Sequence, residues 1–192
     1  ERSSNLYCEA FLHWMGNCFA GSADRDSALH WLTKTLMGAA TENQAFKMLD
    51  GSGRFLKESK RSFPSPLTSL FKLSGLSRLF PRSRVFSRYH LGHLDENKDH
   101  EIDVLAGAFM MVKKEVLDKT GGFDEIFFMY GEDVDLSYRI QKTVCDATGG
   151  NYKNYYFSGS TIIHFKGEST KRGSMNYVRM FYNAMSTFVR KH

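Results

Sequence analysis

The chain has 192 residues, 42% of them hydrophobic and 24% charged, an ordinary globular mixture that allows one sizeable core and excludes disorder throughout. Its net charge of +5 points to an anionic partner, while three cysteines without metal-type or redox-type pairing exclude a disulfide framework and imply free thiols in a reducing compartment. No apolar run approaches the roughly 20 residues needed to span a bilayer, and the N-terminus lacks the pattern of a secretory signal, so a soluble or peripheral protein is expected.

Residues 1–43 read as two helical stretches separated by "GSADRDS", with Phe11, Met15 and Phe19, then Leu29, Leu32 and Leu36, at helical spacing. Cys8, His13 and Cys18 lack a fourth ligand at a known metal spacing. "MLDGSGRFL" carries Asp50-Gly51 between apolar flanks, a hairpin signal. The following stretch, 60–89, holds all three prolines and predicts short helices between turns. In it Lys60, Arg61, Lys72, Arg78, Arg82, Arg84 and Arg88 interleave with Phe63, Phe71, Phe80 and Phe86, and no Asp or Glu occurs from Arg61 to His90. That pattern suits single-stranded nucleic acid, an anionic membrane surface, or simply a solvated basic face over packed aromatics.

From Asp103 the pattern sharpens. "DVLAGAFMMV" predicts a buried strand and "KKEVLDKTGG" a short helix closed by a glycine pair, a succession that suggests α/β architecture. "GEDVDLSYRI" gathers Glu132, Asp133 and Asp135 at a helix start, where carboxylates complement the helix N-terminus; one of them is also suitably mounted to serve as a general base. Asp133 and Asp135 face apart on a helix, so one can catalyse while the other caps or pairs, and Asp135 stands four residues before Arg139. "KNYYF" and "STIIHF" predict two short strands with Ser158-Gly159 between them, placing His164 near a strand end as either a structural residue or a metal ligand. A last helix is expected from Ser174 to about Arg190, with Val178, Phe181, Met185 and Phe188 as its core stripe.

"LAGAFMMVKKEVLDKTGGFDEIFFMYGEDVDLSYRIQK", followed by "NYYFSGSTIIHFKGEST", closely resembles the C-terminal half of family 2 glycosyltransferases of the GT-A fold, especially bacterial rhamnosyltransferase-like members, from about Ala45 to His192. The resemblance implies a partial GT-A (Rossmann-like) α/β domain over 44–192, with 1–43 a helical segment of uncertain origin. Asp133 would be the base that deprotonates the acceptor hydroxyl, with inversion at the donor's anomeric carbon, and Glu132 would support it. Gly107, Ala108, Gly122, Phe123 and Asp124 would line the acceptor cleft, His164 would help hold Mg²⁺ or Mn²⁺, and Lys166, Lys171 and Arg172 would assist the diphosphate. The implied donor is a nucleotide sugar, dTDP-rhamnose or a UDP-sugar, and the acceptor a glycan or lipid-linked sugar in envelope polysaccharide synthesis. The implied location is cytoplasmic, peripheral on the inner membrane face, with 60–89 in contact with the membrane surface or the lipid-linked acceptor, and no nucleic-acid partner; the alternative is a non-catalytic glycan-binding remnant. The family's nucleotide-binding half has no counterpart in 1–43, Asp24 and Asp26 reading as helix caps rather than a metal-binding D-x-D pair, and "TVCDATGGN" looks like a surface insertion.

Overall fold

"NQAFKML" shows no clean alternation of apolar and polar residues, because both of its faces are covered. In a computed structural model that describes residues 43–127, 130–165 and 175–192, this segment is β1 (Asn43–Leu49), the inner strand of a four-stranded mixed sheet. Its neighbours are β4 (Asn154–Ile163), which runs parallel to it, and β3 (Met110–Met111), which runs antiparallel. The edge strand β2 (His100–Ile102) pairs antiparallel with β4, giving the order β2-β4-β1-β3. Such a sheet is compatible with part of a Rossmann-like α/β domain.

The helices follow the expected punctuation. Ser65 Oγ accepts the amide of Thr68 (3.2 Å) and Pro66 opens α1 (Pro66–Leu73), a good start because proline has no N–H to leave unpaired. Gly75, at φ +77°, turns the chain into α2 (Leu76–Leu79). After β3 come α3 (Lys114–Thr120), ended by Gly121 at φ +74°, and α4 (Glu132–Lys142), the acidic helix. The last helix is α5 (Met175–Lys191). The "MLDGSGRFL" turn forms as expected: Asp50 Oδ1 accepts the amides of Ser52 (2.9 Å) and Arg54 (3.0 Å), and Leu49 bridges Phe55. "TVCDATGGN" closes on itself through a Val144–Asn151 bridge and stays at the surface.

Two predicted strands differ. "DVLAGAFMMV" is buried over Val104, Leu105 and Ala106, but only its Met110 and Met111 join the sheet. Its earlier backbone groups bond elsewhere: the amides of Asp103 and Val104 donate to Arg61 O (3.2 and 3.1 Å), and the Leu105 amide donates to Ser137 Oγ (3.0 Å). Composition reported burial and not which groups satisfy the backbone. Conversely, "KNYYF" and "STIIHF" are one strand, not two. Between the pairs Phe46–Phe157 and Lys47–Thr161 three residues bulge out, and Asp99 accepts the Ser158 amide (2.7 Å) and hydroxyl (2.8 Å) there.

One face of the sheet, with Ala45, Met48, Ile102 and Tyr156, packs on Val116 of α3 and on Leu136 and Ile140 of α4. A second cluster joins Val104, Phe127 and Val134 to Ala184 and Phe188 of α5, with Met185 packed against it, so Met185 and Phe188 of the predicted stripe are core while Phe181 lines a cavity. The expected Ser174 cap and the Val178 side chain lie outside the described residues, as do residues 1–42 with Cys8, His13, Cys18, Asp24 and Asp26.

A buried carboxylate joins these layers. The Asp135 side chain is entirely removed from solvent and accepts from Arg139 Nε (2.8 Å) and Lys191 Nζ (2.7 Å), with His192 Nε2 at 2.8 Å. Lys191 also reaches Asp124 (2.6 Å), and Arg139 donates to the carbonyls of Thr120 (2.5 Å) and Gly122 (2.8 Å). Burial works against ionisation of Asp135, but the hydrogen bonds from Lys191, His192 and Arg139 outweigh it and hold its carboxyl below the usual aspartate range. A depressed folded-state value stabilises the fold above the unfolded aspartate pKa, about 3.9, and that contribution is lost as pH falls through the lower folded value. Acid titration is therefore expected to loosen α5 only below about pH 4, read as lost protection of α5 amides. Asp135→Asn, which leaves its cations without a counter-charge, should lower stability by roughly 3 kcal/mol in denaturant titration.

Candidate active site

The first turn of α4 directs its three carboxylates to different places. The turn into it is tight: Tyr130 sits at φ +68° and Gly131 at φ +88°. A Cβ on Gly131 would lie 3.2 Å from both Ala184 Cβ and the Phe127 ring, so a side chain there meets α5 as well as backbone strain. Asp135 turns inward to the network described above. Asp133 turns to the opposite side, toward the segment that precedes β3.

Asp133 Oδ2 is ion-paired with Arg61 Nη2 and accepts the Gly107 amide (3.2 Å), while its Oδ1 accepts the Val134 amide (2.8 Å). A Cβ at Gly107 would stand 3.2 Å from Asp133 Cβ, tighter than ordinary van der Waals contact, so a side chain there would press on the carboxylate's own residue. Ser137, one turn further along α4, donates to Asp133 O (2.6 Å) and accepts from the Leu105 amide, locking helix and segment in register. Gly107 and Ala108 are exposed, so the carboxylate lies at an open mouth although its own side chain is only 14% accessible.

Arg61 was the residue that the sequence assigned elsewhere. It belongs to the basic stretch read as facing an anionic partner, yet its side chain is 13% accessible and its partner is Asp133. Nη2 also donates to Leu105 O (3.3 Å), and the Tyr89 phenol lies beside the guanidinium. Burial disfavours its charge, but Asp133 and Tyr89 more than offset this and raise its pKa above the ordinary arginine value. Lys60 is buried too, its Nζ bonded to Leu94 O (2.5 Å) and lying over the Phe55 and Tyr156 rings at 5.2 and 5.6 Å. Neither cation belongs to a surface patch. The signal in the chain is their place at the head of the stretch, directly before "SFP", where Arg61 makes an isolated bridge with Val104.

Glu132 is half-buried beside Asp133. Burial pushes its carboxyl up, and its buried Oε2 has no hydrogen-bond partner among the described residues. Tyr89 also walls a largely apolar cavity of about 230 Å³ between α1 and α5, lined by Pro64, Thr68, Phe181 and Met185.

The remaining expected residues are distributed differently. Gly122 and Asp124 are held through Arg139 and Lys191 to Asp135, on the side of α4 away from Asp133, while Phe123 is 55% exposed. His164 follows β4, its amide bonded to Leu49 O (2.8 Å). Among the described residues no group of three His, Cys, Asp or Glu side chains is placed to hold a metal ion. Lys166, Lys171 and Arg172 lie outside the described residues.

No protein-family model matches the chain, and no solved structure matches it significantly. Two curated proteins do, each named N-acetylglucosaminyl-diphospho-decaprenol L-rhamnosyltransferase, from Mycobacterium tuberculosis strains CDC 1551 / Oshkosh and ATCC 25618 / H37Rv. Each is 27% identical over 114 residues, covering 59% of this chain. The chain spans about a third, 34%, of the length of these relatives. This partial match supports a glycosyltransferase-like relationship.

Proposed function

We propose that this chain is the acceptor-side part of an inverting family 2 glycosyltransferase of the GT-A fold, rhamnosyltransferase-like, working in bacterial envelope polysaccharide synthesis at the cytoplasmic membrane face. The observation that carries the reading is the setting of Asp133: a carboxylate on the first turn of a helix, oriented by Arg61 and the Gly107 amide, next to the exposed Gly107 and Ala108. A general base needs such a rigid mount within reach of the hydroxyl it serves. The name of the mycobacterial relatives supports a sugar donor and a lipid-linked acceptor. dTDP-rhamnose or a UDP-sugar is the donor proposed here.

In this scheme the acceptor hydroxyl lies against the free lone pairs of Asp133. As its oxygen forms a bond to the donor's anomeric carbon, its proton passes to the carboxylate. The bond from that carbon to the diphosphate breaks on the opposite face, the electron pair leaves with the diphosphate, and configuration inverts. The transition state is oxocarbenium-like, so the hydroxyl becomes acidic as the new bond forms. Arg61 holds the carboxylate in one orientation, and Glu132 lends a second polar oxygen to the site. In this reading His164 would help hold the Mg²⁺ or Mn²⁺ that neutralises the donor's diphosphate.

Asp133→Asn in the full-length parent protein should lower transfer by about 10²- to 10⁴-fold, the usual contribution of a general base. It also leaves the largely buried Arg61 guanidinium without the Asp133 charge, so stability should fall by roughly 3 kcal/mol, checked by thermal melting, and transfer is to be compared below the variant's own midpoint. Turnover that survives this change overturns the assignment of the base. For this chain by itself, Mn²⁺ with UDP or dTDP should leave the melting midpoint where it was; an upward shift would locate a donor site within these 192 residues.

A further inference from the structure

The stretch from Leu67 to Arg88 has a composition that the proposed reaction does not use. With Lys60 and Arg61 buried, its outward charge comes from Arg78, Arg82, Arg84 and Arg88, all exposed, and none of these four makes an ion pair among the described residues. No acidic residue occurs from Arg61 to His90 to answer them. The same stretch exposes aliphatic side chains: Leu67 at 55%, Leu70 at 57%, Leu79 at 70% and Val85 at 56%. Leu67 and Leu70 are three apart on α1 and therefore share a face.

The phenylalanines do not share this exposure equally. Phe71 packs edge-on against Phe86 (5.1 Å between ring centres), and Phe86 lies against Phe80 (5.4 Å), so the rings tie α1, α2 and the following turn into one plate. Beside the Phe80 ring, 46% exposed, the stretch offers solvent four aliphatic side chains and four guanidinium groups.

We infer that Leu67–Arg88 is an interfacial docking surface for an anionic lipid bilayer. Leucine and valine gain by entering the acyl boundary, and unpaired arginines gain by meeting anionic headgroups. A single-stranded nucleic acid would answer the charge but stacks on exposed ring faces; Phe71 and Phe86 are half-buried against each other, and of the three rings Phe80 alone is exposed, at 46%, beside four exposed aliphatic side chains. No helix among the described residues is long and apolar enough to cross a membrane, which leaves binding in the plane of the interface. The inference goes beyond the transfer reaction and does not depend on it.

The test is co-sedimentation of the full chain with vesicles of phosphatidylcholine alone and of phosphatidylcholine mixed with phosphatidylglycerol. Binding is expected only to the mixed vesicles. Replacing Arg82 and Arg84 together by Gln should weaken it by about 25-fold, on the order of fivefold for each arginine. Leu70→Glu and Leu79→Glu, each at an exposed position, should abolish it while leaving the melting midpoint unchanged. Failure to bind the mixed vesicles, equal binding to the neutral ones, or indifference to these substitutions would each overturn the inference. So would displacement from the vesicles by a single-stranded oligonucleotide, or a concentration-dependent dimer that Leu70→Glu dissolves. None of these readouts involves Asp133, so a failed docking surface and a failed base assignment remain distinguishable.

Discussion

The carboxylate of Asp135 is fully removed from water, and burying a charge in that way is tolerable only if compensating groups surround it. Arg139, Lys191 and His192 supply them, and each belongs to a different demand of the fold. Arg139 holds the loop after α3 by its carbonyls, Lys191 fixes Asp124 of the same loop, and the end of α5 is drawn onto α4. Because Asp135 is satisfied inward, the helix is rotated so that Asp133, two residues earlier, must look the other way. The orientation of the candidate base is thus a consequence of a structural ion network on the far side of its own helix.

On the near side a second pair completes the arrangement. Arg61 and Asp133 are both largely buried, and neither would be stable there without the other. Arg61 also terminates the backbone of the Val104–Ala106 segment, while Ser137 bonds its other side, so the turn at Gly107 is held from two directions. A small apolar cavity begins where Tyr89 leaves Arg61. Rigid support for a carboxylate and an amide from Gly107, next to the exposed Gly107 and Ala108, suit a general base, and the proposed function rests on that combination.

The residues expected to line the acceptor cleft fall on both sides of α4. Gly107 stands against Asp133, but Gly122 and Asp124 serve the Asp135 side, tied down by Arg139 and Lys191. Helices of the expected type and place, α3 and α4, came from spacing and glycine punctuation, which are local properties. The hairpin turn at Asp50-Gly51 and the surface loop after α4 were local as well. Where partners lay far away in sequence, local pattern failed: the run before β3 is buried but bonded to Arg61 and Ser137, and the bulge in β4 depends on Asp99.

By itself the sequence determined the α/β character, the acidic start of α4, the Asp135–Arg139 pair at one helical turn and the resemblance that singled out Asp133. These follow from residue type and short-range spacing, which the chain carries wherever it goes. Only the tertiary structure decided which cations of the basic stretch are internal, which carboxylate is structural and which faces the open edge. Arg61 and Arg78 look alike in sequence, yet one is buried against Asp133 and the other points to solvent. The physical reason is that burial of a charge is set by a partner 72 positions away, a relation that no local pattern encodes.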